Sequence, residues 1–556
     1  MLLVAALVAL PAFAEELRVE GERWAVATGH PQSTAVGARV LREGGNAMDA
    51  AVAASLTLGV AEPYGSGLGG KLVMLYRDGA SGEVTCIEAL CPSPAATDPA
   101  EFAALSSQDR KYGYRSVCVP GMPAGLHAGY ERWGSMPWDK LVAPAEQLAR
   151  DGITIVSEEM RSLWAPHEED LAADPDASRC FLVNGKTPAI GVRLPNPDLA
   201  DTLHRMAESG VEDFYRGKTA RLIVAAAQAG SSPMTAEDFS GYEPRIGPAL
   251  AANFRGYRVY SSPPPLTGGV TVLSVLKTVE RLGESRSKRD AQYIDRLGQA
   301  LKFFYPRISR SIADTSAASQ HADQLLSEET IAEAAQETRE AATPEAVSQF
   351  DEATLDDAIA AGTTHLVVAD ADGNVVSLTQ SLSLHFGAAV VPPGTGVVLN
   401  DSMSNFATRW KASPNYIAGG KRPRSTVSPV IATRDGLPAL ALGIPGGQRI
   451  PTTTIQLLVD ILGAQTPIAE AFARPRFHLR RPLNSTQADN ELDLEKHHDS
   501  EWQSAVREEL EDRGWSTALK PYDGRYFGGG NAIQYLAGGK IVAVADPRRT
   551  NSAEAE

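Results

Sequence analysis

The residues whose types and spacing could do chemistry are Gly362-Thr363-Thr364-His365. A threonine hydroxyl is a weak nucleophile unless a base sits beside it. One solution makes the threonine N-terminal, so that its own α-amine takes the proton. A free α-amine titrates near about 8, so a useful fraction is neutral at physiological pH. Such an amine requires a cut between Gly362 and Thr363. Gly362 has no side chain, so the Thr363 hydroxyl can approach its carbonyl and start that cut itself. Two threonines are also the opening of an ordinary strand, where threonine is favoured. From these four residues alone, the strand reading is the favoured one.

Other candidates carry less. Gly65-Ser66-Gly67-Leu68-Gly69-Gly70-Lys71 nearly matches a phosphate-binding loop, but Leu72 stands where a magnesium-binding hydroxyl belongs. A strand, not a helix, is expected to follow, so the run reads as a glycine turn where backbones approach closely. His497-His498-Asp499 reads as a surface turn, because adjacent histidines do not face one way and no H-E-x-x-H motif occurs. No G-x-S-x-G nucleophile elbow is present. Cys86, Cys91, Cys118 and Cys180 lack Cys-x-x-Cys spacing and do not form a disulfide framework, although export would permit pairing. No metal or other cofactor is called for.

The elements that must position these residues follow from periodicity and turn chemistry. Residues 30–61 predict two helices broken at Gly44-Gly45-Asn46, and 72–76 predict a strand. Residues 120–230 are mostly amphipathic helix, and 254–262 a strand. The stretch 310–357, rich in Ala, Ser, Glu and Gln, predicts an exposed, mobile helical segment. Period two then takes over: 365–381 reads as a hairpin around Asp372-Gly373. Further strands are expected at 395–399, 427–433, 438–443, 527–536 and 540–546, with a helix at 452–463. Helices dominate early and strands late, which implies packed sheets covered by helices rather than βαβ alternation.

The chain of 556 residues is 43% hydrophobic and 22% charged, an ordinary globular composition. Its net charge of −16 repels phosphate backbones and argues against a nucleic-acid binder. The apolar run 1–14, ending Ala12-Phe13-Ala14, is too short to span a membrane and predicts a signal peptide, hence a periplasmic or secreted protein. No other stretch is long and apolar enough to span a membrane.

The region 362–387 resembles the processing site of the γ-glutamyltransferase family. The resemblance continues in order through GGNAMDAAVA at 44–53, GSGLGG at 65–70, SSPPPLTGG at 261–269, KRPRSTVSP at 421–429, GIPGGQRI at 443–450 and ADPRR at 545–549. It implies an α+β fold, a four-layer αββα sandwich of the N-terminal-nucleophile hydrolase type, formed jointly by both processed parts. It also implies a precursor cut into a large subunit, 15–362, and a small catalytic subunit, 363–556. By position, Thr363 becomes the nucleophile with Thr364 beside it, and Ser381 contacts the nucleophile. Gly446 and Gly447 supply the N–H donors of the oxyanion hole.

The resemblance also locates departures. Ser425 and Thr426 keep a hydroxyl at both carboxylate-side positions of the γ-glutamyl donor. The family's carboxylate-binding arginine aligns with Glu88, which would repel that carboxylate. The positions that hold the donor's ammonium read Ser383, Ser402 and Asn405, so the acidic partner is gone. The expectation is a self-processing amide hydrolase or acyltransferase, passing its acyl group to water or an amine. Its donors are γ-glutamyl compounds such as glutathione or, alternatively, another acyl amide or peptide. A catalytically dead relative that only binds is the reading of a different class.

Overall fold

The structure, a computed structural model, describes residues 18–283, 289–341, 361–480 and 490–556. The proposed signal peptide, 1–14, and residues 342–357 of the segment read as mobile lie outside them.

Two seven-stranded antiparallel sheets stack face to face. The first runs, in spatial order, Ser552–Ala555, Ala25–Thr28, Ala361–Ala369, Val375–Leu384, Lys71–Arg77, Val84–Ala89 and Arg245–Pro248. The second runs Arg18–Gly21, Ile541–Ala545, Asn531–Tyr535, Leu437–Gly443, Val430–Arg434, Tyr257–Ser261 and Leu250–Phe254. Helices Pro31–Arg42, Ala47–Ala61 and Met122–Trp133 cover the first sheet, and Thr267–Leu282 and Arg449–Leu458 cover the second. The result is a four-layer αββα sandwich.

Alternation along the strands decides which residues meet between the sheets. Val367, Ala369, Val73, Leu75 and Cys86 pack against Ile431, Ala441, Ile533 and Ala543 of the opposite sheet. Leu366, Val368, Leu72 and Met74 instead face the helices. Thr363 and His365 share the inner parity, and Thr364 the outer. Burying each large aliphatic side chain contributes about 1.5–3 kcal/mol. A one-residue slip would expose both sets to the wrong layer and move Thr363 off the inner face.

The helix Ala47–Ala61 is almost wholly buried; its alanines let it lie close on the sheet. Asn46 and Asp49 form a reciprocal capping box at its start, which fixes where it begins and so where its end delivers Glu62.

Several expectations change. Residues 395–399 form turns with one isolated bridge, Gly69 to Leu399, because Gly394 and Gly396 take positive φ. The stretch 254–262 is a hairpin end and a strand, separated by the turn Arg255-Gly256. Within 310–341, helices Ala318–Leu325 and Glu328–Glu340 bury Ala322, Leu325, Ile331, Ala334 and Ala335 against the second helix layer, so this part is packed rather than exposed. All four cysteines are buried free thiols.

Candidate active site

The strand Ala361–Ala369 pairs with Val375–Leu384, with a bulge between Gly362 and Thr363: Gly362 opposes Ser383 and Thr363 opposes Ser381. Ser383 adopts φ 85°, a conformation unusual for a residue with a side chain. Bulges re-aim side chains, and this one sits on the bond read as scissile. A Cβ at Gly362 would overlap the Leu384 carbonyl, so only glycine fits.

Thr363 is buried, its Oγ1 2.9 Å from Ser381 Oγ. Ser381 Oγ lies 2.7 Å from the Gly362 carbonyl oxygen and accepts the Ser383 N–H at 3.0 Å. A hydroxyl has one proton. Ser381 therefore donates to Gly362 O, while the Thr363 hydroxyl donates to Ser381. Buried Arg549 donates from Nη1 to the Thr363 carbonyl at 2.9 Å.

Thr364 faces the other way. Its hydroxyl lies near the Glu62 carboxyl, whose Oε1 accepts from Tyr64 Oη at 2.9 Å. Burial raises the Glu62 pKa, opposed by the neighbouring Thr364 hydroxyl, Arg549 and Tyr64. Thr364 thus lies against the end of the helix Ala47–Ala61, on the face opposite the Thr363 hydroxyl.

Gly446 (φ 136°) and Gly447 (φ 59°) form the turn between the strand Leu437–Gly443 and the helix Arg449–Leu458. Gly447 O accepts from Ile450 N at 3.1 Å and from Thr426 Oγ1 at 2.8 Å. Among the described residues, neither glycine N–H donates to a protein acceptor. Two free donors before a helix N-terminus are suited to a developing negative charge. Gly443 packs directly on the His365 ring, which brings this strand over the one that carries Thr363. Ser425 and Thr426, both half-buried, lie beside it; Ser425 O accepts from Thr267 N at 2.8 Å.

At the donor end, Ser383 Oγ meets Ser402 Oγ at 3.2 Å and Asn405 Nδ2 at 3.0 Å, so these three expected residues do converge. A fourth joins them: buried Lys71 donates from Nζ to Ser383 Oγ at 2.6 Å. Asp401 lies behind. Burial raises its carboxyl to about 6, against hydrogen bonds from Leu384 N–H and Ser404 Oγ.

Glu88 does not present the bare charge expected of it. Its Oε1 accepts from Arg422 Nη1 at 2.8 Å and from Leu90 N–H at 2.9 Å, and Arg245 lies 3.6 Å from Oε2. A buried, paired carboxylate has little field left to repel a ligand. His497, His498 and Asp499 form the capping turn of the helix Ser500–Asp512, where Asp499 accepts from Trp502 N.

Sequence reasoning missed Glu62, Lys71 and Arg549. Lys71 was visible only as the last residue of a false phosphate-loop match, and Arg549 as part of ADPRR.

This fold is that of the N-terminal-nucleophile hydrolases. The gamma-glutamyltranspeptidase family profile matches residues 33–556. Glutathione hydrolase 2 of Arabidopsis thaliana is 31% identical, covering 94% of this chain and 92% of its own. The Acylase ACY 1 proenzyme of Pseudomonas sp. (strain SE83) is 31% identical, covering 96% and 93%. Among solved structures, cephalosporin acylase from Bacillus halodurans superposes with TM-score 0.86 at 25% identity, covering 97% of each chain. The chain belongs to the gamma-glutamyltranspeptidase family. It is an enzyme of the hydrolase and acyltransferase type, and no helix among the described residues is long and apolar enough to cross a membrane.

Proposed function

We propose that this chain is an exported precursor that cuts itself between Gly362 and Thr363 and then uses Thr363 as an N-terminal nucleophile on an acyl amide. The observation that carries this is the chain of hydroxyls from Thr363 through Ser381 to the Gly362 carbonyl. In the first reaction Thr363 Oγ attacks the Gly362 carbonyl carbon, whose oxygen is polarised by the Ser381 hydroxyl. The acyl group shifts from nitrogen to oxygen. Water then hydrolyses the ester, leaving a Gly362 carboxylate and a Thr363 α-amine.

The freed amine accepts the Thr363 hydroxyl proton as Oγ attacks the donor amide. The Gly446 and Gly447 N–H groups receive the oxyanion, the leaving amine departs with the proton, and water or another amine releases the acyl group. The products of the first step are the large subunit, 15–362, and the small subunit, 363–556.

Names of relatives put two donor classes within reach: glutathione-like γ-glutamyl compounds and other acyl amides. The lysine among the donor-end hydroxyls favours the second. Denaturing electrophoresis should give two bands, with the smaller reading Thr-Thr-His-Leu from its N-terminus. Thr363→Ala should remain one inactive chain. A full-length single chain with acylase activity overturns the proposal, and one without activity returns the chain to a binding role.

A further inference from the structure

Thr363, Ser381 and Lys71 form one row across three neighbouring strands, since Thr363 pairs with Ser381 and Ser381 with Lys71. Paired residues project to the same face. All three therefore enter the same inter-sheet space, and two strand spacings put the Cα atoms of Thr363 and Lys71 on the order of 10 Å apart.

The Lys71 ammonium occupies the place where the resemblance puts a donor's ammonium. Its contact, Ser383 Oγ, also takes the Asn405 amide proton. A hydroxyl oxygen has two lone pairs and one proton. Lys71 and Asn405 fill both lone pairs, so the Ser383 proton turns to Ser402 Oγ. A substrate ammonium would find no free acceptor on Ser383 and a like charge beside it.

Lys71 itself is unfinished. It is 4% exposed, yet among the described residues it makes one hydrogen bond and no ion pair. Both oxygens of Asp401 are engaged elsewhere, and Glu88 is held by Arg422. Two of three ammonium protons remain for an acceptor that the described residues do not supply.

We infer that Lys71 determines donor specificity, and that the preferred acyl arm ends in a carboxylate with no ammonium beside it: a monoamide of a short dicarboxylic acid. This rests on Thr363 being the nucleophile. A carboxylate would accept the two open Lys71 protons and supply the missing countercharge, in a charge-assisted bond stronger than a neutral one. Because Lys71 Nζ contacts Ser383 and Thr363 Oγ1 contacts Ser381 two residues away on the same strand, the arm that joins them is short. Burial lowers the Lys71 pKa, with Cys91, Asp401 and Cys118 acting the other way, and a bound anion would restore the charged form.

The test uses processed enzyme with three anilides of similar length: glutaryl, γ-glutamyl and valeryl. The glutaryl donor should have the highest kcat/KM, mainly through a lower KM. Lys71→Met should cut the glutaryl-to-valeryl ratio at least tenfold, and Lys71→Arg should retain most of it. A γ-glutamyl preference, or an unchanged ratio in Lys71→Met, overturns the assignment. Binding is read apart from turnover by melting with the primary monoamide of glutarate, with glutamine or with valeramide: only the glutarate monoamide should stabilise, and only when Lys71 is present. Equal stabilisation by glutamine, or none by the glutarate monoamide, overturns it as well. Failure to process, or turnover surviving Thr363→Ala, would instead strike the Thr363 reading.

Discussion

Two buried charges stand on the inner face of the same sheet and meet opposite fates. Glu88, on the strand Val84–Ala89, is closed off by Arg422, Arg245 and the Leu90 N–H. Lys71, one strand nearer the nucleophile, holds a single serine hydroxyl and, among the described residues, lacks a carboxylate within ion-pair distance. A fully partnered buried charge is architecture: its field ends on its partner. A half-partnered one leaves free energy for a ligand to recover. The difference therefore separates what holds this end of the sandwich together from what is left for a substrate.

The sharpest way to break the comparison is to remove one partner. Arg422→Met leaves Glu88 with the Leu90 N–H and, as its remaining described cation, half-exposed Arg245 at 3.6 Å, and should cost about 3–5 kcal/mol in urea unfolding. Adding Glu88→Gln to that variant should recover much of the loss. If Arg422→Met is neutral, the pair is not structural and Glu88 is available to ligands.

Gly447 tests the nucleophile end. Gly447→Ala must accept φ near 59° with a side chain, costing about 1–2 kcal/mol of stability. Turnover should fall further, on the order of a hundredfold, if its N–H serves the oxyanion. Loss of stability with unchanged turnover would reduce the glycine pair to a tight turn.

His365 supplies an uncharged control on the same face. Burial lowers its pKa from 6.5 to about 3, and that of His30 to about 4. In the unfolded chain both take a proton below about 6.5 while the folded state refuses it, so stability is present above that pH and lost as pH falls. Each contributes a slope of about 1.4 kcal/mol per pH unit towards pH 4. His365→Gln should flatten the pH dependence of the melting temperature between 6.5 and 4; an unchanged slope would assign it to other groups.

The smallest expected effect is the counterpart of the first. Lys71→Met removes a buried charge without an ion-pair partner, so stability should hold or rise by about 1 kcal/mol without ligand. A loss comparable to that of Arg422→Met would mean that Lys71 is as structural as Glu88.

Much of the chemistry was legible in the residues. Gly362-Thr363 is compatible with a self-cleaving junction because the two side chains, one absent and one a hydroxyl, are what that step requires locally, but only the family resemblance singled it out from an ordinary strand start. The hairpin around Asp372-Gly373 and the broken helix pair at 30–61 were readable because turns and caps are short-range. Exposure of 310–341 was misjudged, since Ala-rich composition does not say which helix layer will receive Ile331 and Ala335.

What the sequence by itself offered is a candidate nucleophile and, through the family resemblance, a glycine turn and a set of hydroxyls as candidates for the oxyanion and the donor end. What only the tertiary structure decided is how the charges are spent. Arg422 reaches Glu88 across 334 positions of chain, and Lys71 joins Ser383 across 312. Strand register, fixed by burying alternate aliphatic residues between two sheets, sets those meetings, and no local pattern encodes them.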